Sequence, residues 1–592
     1  MGCCATIMRG AEGCRDASQR SRQLKASEMS EAAPQSTADA LPGAGLADQV
    51  EGVALNSALG ADPRSLARAW GQVVAEALEQ PRLLWETGQK LQAEMLGIWF
   101  SNRDADLPAD QRFADAAWSE NPWFKRVRQS YVAWAEALDD WLAKSGLEGI
   151  EQQRARFVLD AAKDIFSPVN QPFTPETLKA VQESRGESLT QGLRNFTDDL
   201  FNNHGYPAVA DRGAFELGKD VAATPGAVIY RNELFELIQY NPTTEKVHKR
   251  PLLYVFSQVN RYYLGDLTPG RSLFKELVDA GIQVFAMSWR NPGREHANWS
   301  LDTYAEGVIT ALEVVRSVSR QRKIDVIGLC AGGTTAAAAA GALNARGDDW
   351  INSLSLFVSI LDNRPGDSDF TLFVTDQSVA AQKQTIRRQG MMRERDILEM
   401  FAMLRLDESI FSFIRSNYFR GESPLAHPLL FWSMDYTRVP AEMQCDFLDL
   451  SHRNSLPKKE LRVLGRRVDL STIRYPVYVM AGSTDHITPW MACYRSTQLF
   501  GGEITFVLTS QNHTQTISAR PDNRHLRYWM ADSLPESAED WMPLATETRG
   551  NWRSHWVAWL QGHSEMKPAP MRLGSKSYPP LEAAPGQYVR QK

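Results

Sequence analysis

The hexapeptide Gly328-Leu329-Cys330-Ala331-Gly332-Gly333 constrains this chain more than any other stretch. It follows the strand-like Asp325-Val326-Ile327 and runs directly into Thr334 to Ala340, a segment of helix character. A cysteine flanked by glycines two residues away on each side, on a strand-to-helix turn, is a nucleophile elbow with sulfur in place of oxygen. Such a turn leaves no room for a Cβ at either glycine and lifts the nucleophile clear of the backbone. The following helix N-terminus favours a thiolate. A dinucleotide fingerprint would need glycine where Cys330 stands, so that use of the turn is excluded.

An elbow of this kind demands an acid after a late strand and then a histidine in the last strand-to-helix loop. Both occur in that order. Tyr475 to Gly482 reads as a buried strand with Asp485 just beyond it, and the strand Ile504 to Leu508 runs into a loop holding His513. Cys330 is therefore expected to be the nucleophile, His513 the general base and Asp485 the carboxylate that orients it. His486 is the rival base, but as a neighbour of the acid on one loop it should point elsewhere. Cys445 and Cys493 lack an elbow and should be inert. One oxyanion donor should be the backbone N–H of Ala331, the other a donor near Val259 in the loop after the strand Leu252 to Phe256.

The rest of the pattern fits this site. From Ala227 onward short apolar runs (Ala227 to Tyr230, Leu234 to Ile238, Leu252 to Phe256, Val284 to Met287, Ile324 to Ile327, Leu354 to Ile360, Val477 to Met480) alternate with helical stretches, as in a mostly parallel sheet. The alternation lapses between about 363 and 461 into Met- and Phe-rich helical sequence, which predicts a cap inserted over the sheet. The expected architecture is an α/β-hydrolase fold, 226–592, preceded by a mainly helical domain, 42–225, and a disordered lead, 1–41. In the helical domain Tyr131, Trp134, Leu138, Trp141 and Leu142 form one stripe, read as core or as a docking face.

Charge and cysteine usage exclude other classes. With 65 basic and 71 acidic side chains the net charge is −6, giving no field for nucleic acid. No run approaches the roughly 18 apolar residues of a membrane-spanning helix. The six cysteines lack the spacing of a zinc site or a disulfide framework, which suggests a reducing compartment. Met1-Gly2-Cys3-Cys4 satisfies a loose lipidation pattern, and Met29 offers a second possible start. Without an export signal, the sequons at Asn195, Asn298 and Asn512 are not expected to carry glycans.

A cysteine nucleophile attacking a thioester exchanges one thioester for another, so the acyl group stays activated for transfer to an alcohol. That points to acyl transfer from a carrier such as coenzyme A. The sequence resembles the polyhydroxyalkanoate synthases over almost the whole chain after about residue 60. Besides the G-x-C-x-G-G box, the matching blocks are Phe113 to Trp118, Asn121 to Phe124 with Gln129 to Tyr131, Ser167 to Pro172, Thr224 to Asn232, Ser288 to Pro292, Ala481 to Trp490 and Tyr578 to Val589. The resemblance places Cys330, Asp485 and His513 on the family's triad, and Asp266 on a position associated with its active site. It implies polymerisation of (R)-3-hydroxyacyl-CoA without any cofactor, at cytoplasmic polyester granules, by a homodimer. The stretch Glu236 to Glu245 and the C-terminal block are most similar to the single-subunit type that uses medium-chain substrates, with the short-chain type as runner-up.

The chain departs from the family pattern beside the expected site. Phe256-Ser257 stand where two prolines are usual, Arg261 where lysine is common, and Asn512 where glycine precedes the histidine. Two other readings are a cysteine hydrolase of esters or thioesters and an inactive granule scaffold; the second should have lost a triad residue, and none is missing.

Overall fold

The computed structural model describes residues 63–100, 107, 110–562 and 564–592. The lead 1–41, the lipidation pattern and Met29 lie outside the described residues, as does part of 42–225. The N-terminal region is helical, with helices Pro63–Glu79, Pro81–Phe100, Pro122–Lys144, Gly149–Phe166, Pro175–Glu183 and Glu187–Asn202. Asn121 starts the third by accepting the Trp123 N–H at 2.9 Å while Pro122 opens the helix, so a free donor is capped and no backbone bond is wasted. Of the aromatic stripe, Trp141 and Leu142 are buried in the main core, and Leu138 packs against it. The more exposed rings are others: Trp85, Phe100, Trp123, Phe166, Phe173 and Phe201.

The sheet begins at Gly226–Arg231 and has eleven strands among the described residues. Six neighbours run parallel, in the order Ile504–Thr509, Val477–Gly482, Ile351–Phe357, Ile324–Leu329, Pro251–Val255 and Gln283–Trp289. Antiparallel strands extend both edges. Alternation with period two sends successive side chains to opposite faces. Leu253, Val255, Phe285, Met287, Val477 and Val479 join one core with the helices Leu301–Ser319 and Ala331–Arg346. Leu252, Tyr254, Val284, Ala286, Tyr478 and Met480 join another with Leu273, Phe274, Trp552 and Trp556. A parallel sheet covered on both faces needs this near-continuous apolar sequence.

One strand differs from the sequence reading. The apolar run Leu354 to Ile360 predicts a strand throughout, whereas the strand is Ile351–Phe357 and Val358 turns out of it at φ 45°. The apolar sequence continues because this exit loop is itself buried.

Between that strand and Val477–Gly482 lies the inserted cap. It contains helices Asp376–Gln389, Glu394–Leu404, Pro428–Ser433 and Ala441–Arg453, and two π-helical segments, Asp407–Phe411 and Ile414–Phe419. The cap sits against the N-terminal helices. Asn195 Nδ2 donates to the carbonyls of Asn417 and Glu422, each at 2.9 Å, and Tyr418 donates to Asp199 at 3.0 Å. At Gly192 a Cβ would collide with the Tyr418 carbonyl, and at Gly421, with φ +65°, with the backbone of Ser188. The helix Glu187–Asn202 and the cap thus meet backbone to backbone.

Candidate active site

Cys330 occupies the turn between Ile324–Leu329 and Ala331–Arg346 with φ 51° and ψ −127°, a conformation costly for a residue with a Cβ. Its neighbours permit it. A Cβ on Gly328 would lie 2.6 Å from the Gly333 Cα, and one on Gly332 would lie 2.5 Å from the Phe256 carbonyl. The turn is held by Cys330 N–H donating to Phe357 O at 3.0 Å, and by the Ser359 hydroxyl donating to Cys330 O at 3.0 Å. The Cys330 side chain remains partly accessible.

The acid and base arrive from adjacent parallel strands on the same side of the nucleophile. Ser483 N–H donates to Thr509 O at 2.7 Å, which ties together the roots of their two loops. His513 Nδ1 then lies 2.7 Å from Asp485 Oδ2. Asp485 is buried, and its other oxygen accepts the N–H groups of Ile487 and Thr488 at 2.9 Å each. Burial works to raise its pKa, but the charge and hydrogen bond of His513 and the bonds from Thr488 outweigh it and hold the carboxylate below its ordinary value. Burial likewise opposes the charge on His513, yet Asp485 first and Cys330 second raise its pKa to about 10. The Cys330 side chain thus acts on the same imidazole that Asp485 holds. The three residues therefore form one coupled chain of carboxylate, imidazole and sulfur.

His486 is different. Burial and then the charge of Arg405 push its pKa down to about 4, so it stays neutral while His513 takes the proton. Burial pushes the Cys445 thiol up to about 11 and raises Cys493 well above the usual thiol value. Neither is a ready nucleophile.

The Ala331 N–H heads its helix, where backbone donors lack an intrahelical acceptor. The Val259 N–H donates to Ser257 Oγ at 3.2 Å. Asp266 is buried, accepts from Thr224 N–H at 2.9 Å and from the Ser272 hydroxyl at 2.6 Å, and its pKa is raised by burial. Its carboxylate bonds to these two residues and not to the triad, so it pins the entry to the first strand onto the start of the helix Leu273–Asp279.

Sequence reasoning missed several supports. The Thr488 hydroxyl donates to Asp485 Oδ2 at 2.7 Å and stands 3.1 Å from His513 Nδ1. Gln258 Nε2 donates to Thr335 Oγ1 at 2.9 Å, fastening the loop after Pro251–Val255 to the elbow helix. Asn512, where the family pattern has glycine, accepts the Gln515 N–H at 3.0 Å and so starts the short helix after His513. For Thr488, its place three residues after the acid was the one available hint.

Residues 109–277 match the family described as the N-terminus of poly-beta-hydroxybutyrate polymerase (PhaC), and residues 265–516 match the alpha/beta hydrolase fold. Poly(3-hydroxyalkanoate) polymerase 1 of Ectopseudomonas oleovorans is 36% identical, over 91% of this chain and 97% of its own. Poly(3-hydroxyalkanoate) polymerase 2 of the same organism is 38% identical over 81% and 86%. The poly(3-hydroxyalkanoate) polymerase subunit PhaC of Cupriavidus necator is 35% identical over 86% and 89%. With identity of this level along nearly the full length of several relatives, and an α/β-hydrolase domain behind a PhaC-type N-terminus, the chain belongs to the poly(3-hydroxyalkanoate) polymerase family.

Proposed function

We propose that this acyltransferase polymerises (R)-3-hydroxyacyl-CoA through a covalent thioester on Cys330. The supporting observation is the coupled chain from Asp485 through His513 to Cys330, in which His513 holds a proton at neutral pH. The Cys330 thiolate attacks the thioester carbonyl, coenzyme A leaves, and the His513 imidazolium protonates the departing thiolate. Neutral His513 then takes the proton from the 3-hydroxyl of another unit or of the chain end. That oxygen attacks the Cys330 thioester, the ester forms, and the thiolate–imidazolium pair is restored. The N–H groups of Ala331 and of the loop at Val259 stabilise the oxyanion in each step. The scheme draws on no metal or organic cofactor.

The preferred substrates in this reading are medium-chain, and the enzyme works as a homodimer at the surface of its cytoplasmic polyester granule. Among the described residues no helix is long and apolar enough to cross a membrane. The test is to supply thioesters of graded acyl length and measure coenzyme A release together with polymer mass. Insoluble polyester made fastest from medium-chain substrates is the expected result. Soluble hydroxy acid in place of polymer would reveal a hydrolase, and polymer formation by Cys330→Ala would remove Cys330 from the mechanism.

A further inference from the structure

The loop Phe256–Arg261 is held from three directions. Gln258 fastens it to the elbow helix, as described above. The cap takes its carbonyls: Thr437 Oγ1 donates to Gln258 O at 2.6 Å, Thr437 N–H to Val259 O at 3.0 Å, and Trp432 Nε1 to Arg261 O at 2.8 Å. The third tether is the Arg261 side chain, which is almost fully buried. Its Nη1 donates to Tyr588 O at 3.0 Å and its Nη2 to Gln591 O, while its Nε lies 3.5 Å from Asp435 Oδ1.

The segment that receives this guanidinium is itself anchored. Glu236, buried in the sheet, accepts the N–H groups of Gln587 and Tyr588 at 3.0 Å each. The Tyr588 hydroxyl donates to Asn232 O, and Asn291 N–H donates to Gln591 Oε1 at 3.3 Å. Lys592 Nζ reaches Asp435 Oδ1 at 3.0 Å, and Tyr263 donates to Asp435 Oδ2 at 2.9 Å. A planar guanidinium can serve two carbonyls and a carboxylate in fixed directions, which a lysine ammonium at the same place cannot. The Arg261 departure from the family pattern is thus put to use.

We propose that the segment Tyr588–Lys592 sets the position of the loop Phe256–Arg261 through Arg261 and Asp435, so that acylation of Cys330 depends on this segment. Arg261 is a positioning residue: it acts through the Val259 N–H and does not touch the reacting atoms. The inference rests on the reading of Cys330 as nucleophile and of this loop as part of the oxyanion site.

Two rates separate the effects. Acylation by a 3-hydroxyacyl-CoA, read as the first-turnover release of coenzyme A, needs the oxyanion site; alkylation of Cys330 by iodoacetamide needs only an accessible thiolate. In the full chain, Arg261→Lys should slow acylation about 10- to 100-fold while alkylation, mapped to Cys330 by mass spectrometry, changes by less than about twofold. Deletion of Gln591 and Lys592, which leaves the Glu236 anchor in place, should do the same. The combined variant should be no slower than the worse single one, because both break one connection. Thr437→Val is the control, since it loosens the loop from the cap side. If it slows acylation while Arg261→Lys and the deletion do not, the latch is wrong and the loop's role stands. If all three acylate normally, the loop is not part of the oxyanion site. Parallel loss of alkylation and acylation would place the effect on the thiol and overturn the inference, and alkylation at another cysteine would overturn the reading of Cys330.

Discussion

His513 Nδ1 and Asp485 Oδ2 stand 2.7 Å apart, and against the cost of burial this pairing, with Cys330 second, raises the histidine from its ordinary value near 6.5 to about 10. The folded chain therefore binds this proton more tightly than the unfolded chain does. The resulting stability is fully present below about pH 6.5 and is lost as pH rises through about 10. The melting temperature should fall across that window, and Asp485→Asn should flatten the fall because the partner charge is gone. The same variant should lose about 10²- to 10⁴-fold in coenzyme A release, the range for a mispositioned general acid–base. A melting profile equally steep in both proteins would contradict the assignment of that proton to His513.

Thr488 offers a finer test, since its hydroxyl touches both the acid and the base. Thr488→Val keeps the volume nearly constant but deletes one of the four hydrogen bonds that Asp485 accepts. A bond to a charged group is worth about 1.5–3 kcal/mol, so the turnover number should drop about 10- to 100-fold with KM little changed. Thr488→Ser should restore most of it. Equal activity in the Val and Ser variants would reduce the hydroxyl to a bystander.

Ser257 holds the Val259 N–H at 3.2 Å, in competition with an incoming oxyanion. Ser257→Ala releases that donor. If Val259 completes the oxyanion site, acylation should speed up about two- to tenfold, the worth of one ordinary hydrogen bond. A slower enzyme of unchanged melting temperature would mean that Ser257 orients the loop and that the second donor lies elsewhere.

The cap residues divide by burial. Met391, Met392 and Met400 are buried and fill the interior; the Met403 side chain lies outside the described residues. Phe411, Phe413, Tyr418 and Phe419 are half-buried on or beside the two π-helical segments, geometry that is rare and frequent at functional sites. Phe411→Ala and Phe413→Ala should shift chain-length preference or shorten the lag before polymer forms, with little change in melting temperature. Trp432→Ala should instead destabilise the fold, since Trp432 is buried and bonded to Arg261 O. Identical length profiles in the Phe variants would make the segment a passive insertion.

The elbow, the acid and the base were legible because their signals are local: glycine spacing, an apolar strand, a polar loop, and a fixed chain order. The supports were not. Thr335 meets Gln258 across 77 residues, and Arg261 meets Gln591 across 330, so no window of sequence contains either pair. The strand at 351–357 was displaced by three residues because burial, which sequence does register, continues after pairing stops at Val358. The helices from Gly149 to Asn202 lie within the region read as mainly helical, 42–225, but were not delimited one by one, since their many charged and amide residues weaken the apolar pattern. Asp266 was placed near the site by resemblance alone, and its carboxylate is spent on Thr224 and Ser272.

The close approach of Gly192 to Tyr418 and of Gly421 to Ser188 has a bearing on how such enzymes can be recombined. Glycine at both contacts means that at these two points the interface is cut to the thickness of two main chains, with no room there for an added side chain. A chimera spliced at Thr224-Pro225, the natural seam in the linear sequence, would pair a foreign N-terminal helix with this cap and lose that fit. The unit of inheritance is the N-terminal helices together with 414–421, two stretches separated by more than two hundred residues.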